Sequence, residues 1–314
     1  MGGAECPSGA LSRPSARSQI FPRPAIFSID WGNEPRYIRQ HRVFTRPSFL
    51  PNKDVDPAMK CLVLRCKCAV LGMVLLSSMA AWSATKYSNL DDSTLVDNGV
   101  IGWGSCVPCA GGGSNNASIA SSPFQTSPSK DGSSRDFFIA GNAYSDGLWW
   151  YKVGPNNAAA NFQFDFWLNV DASTQGAQAL EFDTYQFISG TEYMFGTQCD
   201  YATGRWDLWN AGSLKWAASN VPCRKFSPNT WYHITLTFHR TSNRYEQYDK
   251  LTIMQYNSRG RVASSNSYNL NRAYPSQLTP PGWGDDLGVQ FQMDIGATGT
   301  QMQQWVDQVS LTAW

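Results

Sequence analysis

The sequence predicts an all-β chain: one antiparallel β-sandwich preceded by a signal peptide. Three observations carry that prediction. Apolar residues recur at alternate positions in long runs, the period of a strand with one buried face. Clusters of Gly, Asn, Asp and Ser interrupt these runs at the short intervals of a sandwich or barrel. Helical periodicity is absent except over Thr300 to Val306, where one helical turn is expected.

The N-terminal part stands outside the pattern. Whole-chain net charge is +1. Residues 1–84 hold 11 Lys and Arg against 5 Asp and Glu, a net of +6, whereas residues 85–314 hold 14 against 19, a net of −5. Residues 1–58 are rich in Pro, Arg and Ser and show neither period. They read as a disordered basic extension, or as sequence ahead of a true start at Met59. From Met59, Lys60, Arg65 and Lys67 lead into an apolar core over Ala69 to Leu76, then small residues to Ala84. That is the grammar of a signal peptide, at 59–84. Its apolar run falls short of the roughly 20 residues a membrane helix needs. The expected protein is therefore secreted, extracellular or periplasmic, with no membrane span. A net of −5 leaves no basic excess for phosphates, which excludes a nucleic-acid partner by composition.

Residues 85–314 read as one domain. Residues 85–135 supply an N-terminal strand and a Gly/Ser-rich surface loop over 110–134, and residues 136–314 form the body of the sandwich. Phe162, Phe164, Phe166, Leu168 and Val170 alternate with polar or outward positions. So do Tyr232, Ile234, Leu236 and Phe238, and then Leu287, Val289, Phe291, Met293 and Ile295. Leu251 to Tyr256 and Val309 to Trp314 are shorter candidate strands. Asp171 to Gly176 and Ser258 to Gly260 are turns.

The cysteines after the leader are Cys106, Cys109, Cys199 and Cys223, an even number that in an exported chain reads as disulfides. Three connectivities exist. Cys199 and Cys223 are equidistant from Ala211 in the turn Asn210-Ala211-Gly212-Ser213, so a single hairpin would bring them face to face. Cys106-Val107-Pro108-Cys109 can be a redox motif, half a zinc site or a small disulfide loop. The Gly-rich run after it disfavours the helix a redox motif opens, and a second zinc pair is missing.

The segment Ala179-Leu180-Glu181-Phe182-Asp183-Thr184-Tyr185 resembles the metal-site strand of legume lectins. It is similar as well to the catalytic strand of laminarinase-like glycosidases. Trp231 to Leu236 resembles a laminin-G type strand, and Trp305 to Leu311 the last strand of secreted carbohydrate-binding sandwiches. These likenesses imply a concanavalin A-like jelly roll, with a galactose-binding type of jelly roll as the alternative. On such a strand Glu181, Asp183 and Tyr185 share one face, expected toward solvent, while Leu180, Phe182 and Ile188 share the other.

The chemistry departs from each family in turn. Tyr185 matches the next lectin ligand, but Gln186 to Glu192 lack the Asn and Asp that follow it, and no His comes before His233. The lectin double metal site is therefore not expected. A structural Ca2+ on oxygen ligands stays an option, and no other cofactor is implied. Retaining glycosidases place two carboxyls about 5–5.5 Å apart. The family's second catalytic carboxylate falls here on Tyr185 or, across a bulge, Gln186, and neither can protonate a leaving oxygen at neutral pH. A lyase would recruit His233, His239 and Lys152 to take a proton and neutralise a uronate.

Binding is the reading that remains. Residues 85–314 carry 11 Trp, 12 Tyr and 12 Phe, more than the alternating core positions use. Trp167 alternates with core residues, Trp149-Trp150-Tyr151 must turn a ring outward, and Trp206 and Trp209 cannot share a strand face. The expected ligand is an oligo- or polysaccharide, bound without cleavage. Its expected contacts are Glu181, Asp183 and Tyr185, with Trp167, Trp150 and Trp209 as platforms. A glycosidase or lyase of the same fold, and an adhesive surface module without a glycan, are the rival readings.

Overall fold

The computed structural model describes residues 83–107 and 117–314. The N-terminal extension, the signal peptide up to Trp82 and Cys109 lie outside the described residues.

In chain order the strands are β1 (Thr85–Tyr87), β2 (Gly102–Cys106), β3 (Ser118–Ser122), β4 (Arg135–Ala140), β5 (Asp146–Lys152) and β6 (Asn161–Val170). Next come β7 (Ala177–Ile188), β8 (Thr191–Phe195), β9 (Thr197–Asp200), β10 (Arg205–Asn210), β11 (Lys215–Pro222) and β12 (Tyr232–Arg240). The chain closes with β13 (Tyr245–Tyr256), β14 (Val262–Pro275), β15 (Gln277–Leu278), β16 (Asp286–Ile295) and β17 (Gln301–Ala313). A single 3-10 turn, Ser173–Gly176, is the only helical element among the described residues.

The strands form two sheets. An eight-stranded sheet runs β14-β13-β12-β6-β17-β4-β3, with β1 paired to β17. A nine-stranded sheet runs β11-β10-β9-β7-β16-β5-β2, with β8 on β7 and β15 on β8. Every strand pair is antiparallel; the one parallel contact is the isolated bridge Val96↔Trp103. The expected antiparallel sandwich is what the chain forms.

The two sheets close on one core. Phe162, Phe164, Phe166, Leu168 and Val170 of β6 are fully buried, as are Leu287, Val289, Phe291, Met293 and Ile295 of β16. Tyr232, Ile234, Leu236 and Phe238 of β12 join them. Period-two burial is the pleat at work: one face enters the core and the other does not. Phe291 is the hub, with its ring 5.4 Å from Phe137, 5.4 Å from Phe164, 5.2 Å from Phe166 and 6.2 Å from Phe182.

Several expectations need correction. Thr300 to Val306 is no helical turn; it belongs to β17, which extends through the expected Val309 strand. Met302, Gln304 and Val306 face inward, and the buried amide of Gln304 hides the strand period. A bulge then shifts the phase, with Gln308 at φ 51° and the register slipping between Asp307 and Ser310. The candidate strand at Leu251 is the second half of β13. The loop expected over 110–134 contains β3, which pairs with β4 through Ser118 to Ser122.

Cys199 and Cys223 form a disulfide, with Cα atoms 5.3 Å apart. The pairing is the one favoured, but the geometry is not a single hairpin. Cys199 lies on β9, opposite Trp206 of β10, and Cys223 follows β11, donating its N–H to Gly204. The bridge thus ties three strands rather than two. Cys106 is also disulfide-bonded, to a partner outside the described residues.

Candidate functional site

β7 carries Leu180 and Phe182 into the core, so Glu181, Asp183 and Tyr185 point to the outer face of the nine-stranded sheet. Antiparallel register then decides their neighbours. Leu148, Gln292, Glu181, Gln198 and Asp207 stand directly opposite one another across β5, β16, β7, β9 and β10. The next row joins Trp150, Gln290 and Asp183. A third holds Asp146, Asp294, Ala179, Asp200 and Arg205. Amides and carboxyls therefore alternate along the middle row, and each glutamine answers a carboxyl. Gln292 donates Nε2–H to Glu181 Oε1 at 2.8 Å and to Asp294 Oδ1 at 2.9 Å. Gln290 donates to Asp183 Oδ2 at 3.0 Å, and Gln198 to Asp207 Oδ2 at 3.0 Å.

The solvent-facing pair expected from the pleat is buried instead. Glu181 is 6 % exposed, Asp183 2 % and Tyr185 3 %. Gln292, Gln290 and Thr197 from the flanking strands bond the two carboxyls, and Phe187 packs on the Tyr185 ring. Asp183 is held on both oxygens, since the Thr197 N–H also donates to Oδ1 at 2.8 Å. Burial dominates the electrostatics. It pushes the Asp183 carboxyl up to about 7, against the pull of Gln290 and Thr197. It also holds Glu181 well above the usual carboxylate range, with the Asp294 and Asp183 carboxylates adding to the rise. Asp294 is raised by burial to about 6, while hydrogen bonds with Glu181, Gln292 and Asp146 moderate the rise.

At one end of this face Leu148, Trp150, Tyr185 and Phe187 form a separate buried cluster, with Trp283 packed on it. Two glycines make room for the rings. A Cβ at Gly104 would run into the Trp150 indole, and one at Gly288 into the Tyr185 phenol. Trp150 donates Nε1–H to Asp97 Oδ2 at 2.7 Å. The Tyr185 hydroxyl is buried with no hydrogen-bond partner. Trp209 lies beyond the carboxyl row, in edge contact with Trp216 at 5.4 Å, while Trp206 enters the core.

The structure thus brings Glu181, Asp183, Tyr185, Trp150 and Trp209 to one face. It does not bring Trp167 there. Trp167 sits on β6, on the outer face of the other sheet, stacked on His233 at 4.8 Å with the Lys130 ammonium 4.3 Å over its ring. The lyase candidates are likewise divided. His233 and His239 pair with Asp165 and Asp249 on the eight-stranded sheet, at 2.9 Å and 2.8 Å. Lys152 pairs with Asp97 at 3.2 Å on the nine-stranded one. Sequence reasoning missed Gln198, Gln290, Gln292, Asp207 and Asp294. Four of them lie in runs that read as strands, so the outward parity of Asp207, Gln290, Gln292 and Asp294 was the available signal. Among the described residues no group of three or more His, Cys, Asp or Glu could hold a metal ion, and no helix is long and apolar enough to cross a membrane.

No family model matches the chain, and no curated protein does. Solved structures similar to it include a marine alginate lyase from Aplysia kurodai: 10 % identity, 63 % of this chain, 87 % of that one, TM-score 0.44. Arcelin-5, a lectin-like defence protein of Phaseolus vulgaris, matches at 10 % identity over 74 % of this chain and 98 % of its own, TM-score 0.36. Lectin II of Ulex europaeus matches at 12 % identity over 73 % and 97 %, TM-score 0.37.

Proposed function

We propose that this is a secreted, non-catalytic carbohydrate-binding protein whose ligand face is the outer face of the nine-stranded sheet. The observation that carries the reading is the cross-strand row of alternating amides and carboxyls, with Trp150 and Trp209 each two residues along β5 and β10 from its ends at Leu148 and Asp207. The row, Trp150 and Trp209 are themselves buried; the partly exposed Gln290 and Trp216 beside them offer the amide and the apolar ring that sugar hydroxyls and C–H faces need. Binding without cleavage follows from how the carboxyls are used. Asp183 has both oxygens committed to Thr197 and Gln290, and the fifth position of the strand is a tyrosine. The disulfide fits an oxidising compartment.

Glycan-array and polysaccharide pull-down measurements on the full chain test this. Retention on at least one saccharide is expected, weakened about tenfold or more by Trp209→Ala, the scale of a lost aromatic contact at a binding hot spot. Folded protein retained on no saccharide, or release of reducing ends or unsaturated uronates, would overturn it.

A further inference from the structure

A pocket of about 320 Å³ lies at the rim of the sandwich, where the chain crosses from one sheet to the other. β14 ends at Pro275, opposite Tyr245 of β13. After Ser276, β15 sets Gln277 and Leu278 opposite Glu192 and Thr191 of β8. Ser276 makes the crossing, and its N–H and hydroxyl donate to the Arg244 carbonyl at 2.9 Å and 2.7 Å. That grip holds the β12–β13 turn against the start of β15. It brings Asn243, Arg244 and Tyr245 to the pocket wall.

The lining is open to solvent, and several of its polar groups are not used by the fold. Thr191 is 5 % exposed, and its hydroxyl makes no hydrogen bond among the described residues. Arg244 is exposed, and its guanidinium forms no ion pair among the described residues. It is also the one charged group in the lining. The Glu192 carboxyl, opposite Gln277, is buried and already bonded by the Gln277 side chain. Tyr245 and Leu278, both exposed, set apolar surface beside the guanidinium. Small-molecule sites have this make-up: a concavity of some hundreds of cubic ångströms, apolar walls and a few polar groups free to fix a ligand.

We infer that this pocket receives a carboxylated sugar, a uronate unit of an oligosaccharide, with its carboxylate on the Arg244 guanidinium and a face of its ring against Tyr245. This rests on the carbohydrate-binding reading above and adds a second contact region to it, apart from the carboxyl row. A guanidinium presents its N–H donors in a planar fork that matches a carboxylate with two parallel bonds. A neutral hydroxyl would leave that charge unanswered. An aromatic ring takes the C–H face of a sugar by apolar contact. The Thr191 hydroxyl and the Asn243 amide stand ready for ring hydroxyls. A single cation in the lining fits a singly charged group.

The test uses the full-length protein and titration calorimetry with three saccharides of equal length: an oligogalacturonate, its methyl ester and the neutral galactose oligomer. The acid is expected to bind about tenfold more tightly than the ester, the scale of one charge-assisted hydrogen bond. Arg244 has φ 60°, the left-handed region that glycine enters freely and arginine does not. Arg244→Gly is therefore expected to fold and melt as the parent does while losing the preference for the acid. Arg244→Asn, which also tolerates that φ, should behave likewise and serves if the glycine loosens the turn. Tyr245→Ala should weaken acid and ester alike. Arg259→Ala, at an exposed arginine of the β13–β14 turn, should leave the preference intact. Equal affinity for acid and ester, or an undiminished preference in Arg244→Gly, would overturn the inference. So would a preference lost equally in Arg259→Ala, which would report surface charge alone. Binding of the galactose oligomer with no preference for the acid would do so and leave the carbohydrate-binding reading standing. Binding of no saccharide at all would sink both.

Discussion

Tyr185 shows how one residue can be buried without being structurally needed in full. Its ring packs on Phe187 at 5.3 Å and lies over Gly288, so the phenol body is held by apolar contact. Its hydroxyl is desolvated and unpartnered, and burial drives its ionisation well above the usual phenol range. Removing such a hydroxyl removes a desolvation cost and no bond. Tyr185→Phe is expected to leave stability unchanged or to raise it by up to about 1 kcal/mol, read by urea unfolding. Loss of more than that amount would mean that the hydroxyl has a partner in the folded protein.

At the scale of elements, β16 joins the sheet interior to the site. Its odd-numbered residues, Leu287 to Ile295, fill the core, and its even-numbered ones, Gln290, Gln292 and Asp294, face the outer side of the nine-stranded sheet. Phe291 touches rings from both sheets, so Phe291→Ala leaves a cavity that the layers cannot easily close. A loss of about 3–5 kcal/mol is expected from denaturant unfolding. The β9–β10–β11 unit depends instead on Cys199–Cys223, which links residues 24 apart. Replacing both with serine is expected to cost about 2–4 kcal/mol. Amide exchange should rise first in β9 to β11. Uniform loosening of both sheets would contradict that local role.

At the scale of the whole molecule, the buried carboxyls set the pH dependence of stability. Burial raises Asp183, Asp91 and Glu192 to about 7 and Asp294 and Asp286 to about 6. A carboxyl raised on folding binds its proton more tightly in the native state. Stability is therefore full below the unfolded value and falls as pH rises through the folded one. The window runs from the ordinary carboxylate range up to about 7. Asp165 is the opposite case, lowered through its bonds with His233 and Thr235 even though burial opposes them, and its contribution fails only in acid. The unfolding free energy is expected to be larger at pH 5 than at pH 8 by about 2 kcal/mol or more, since one pKa unit is about 1.36 kcal/mol, and the melting temperature to be higher at pH 5 accordingly. Asp183→Asn keeps the Thr197 acceptor and cannot ionise, so it should shrink the difference. A protein equally stable at both values would refute this account.

The alternating runs of β6, β12 and β16 were legible because every inward position is apolar, and the period of two follows from the pleat. Strands such as β14, whose Ser and Asn residues are mostly exposed, and β17, with Gln304 in the core, carry no such contrast. The disulfide partners were legible from their symmetric spacing about a turn between two aromatic strands, which are β10 and β11, although β9, the strand that carries Cys199, was not.

The sequence by itself determined which residues turn inward, because alternation is local and survives without knowing any neighbour. It also placed Glu181, Asp183 and Tyr185 on one side of one strand. Only the tertiary structure decided what stands beside them, because cross-strand neighbours come from segments far apart in the chain. Gln292 lies 111 residues from Glu181. That pairing turned an expected open carboxylate pair into a buried ladder of amides and acids, and it put Trp167 on the far side of the sandwich.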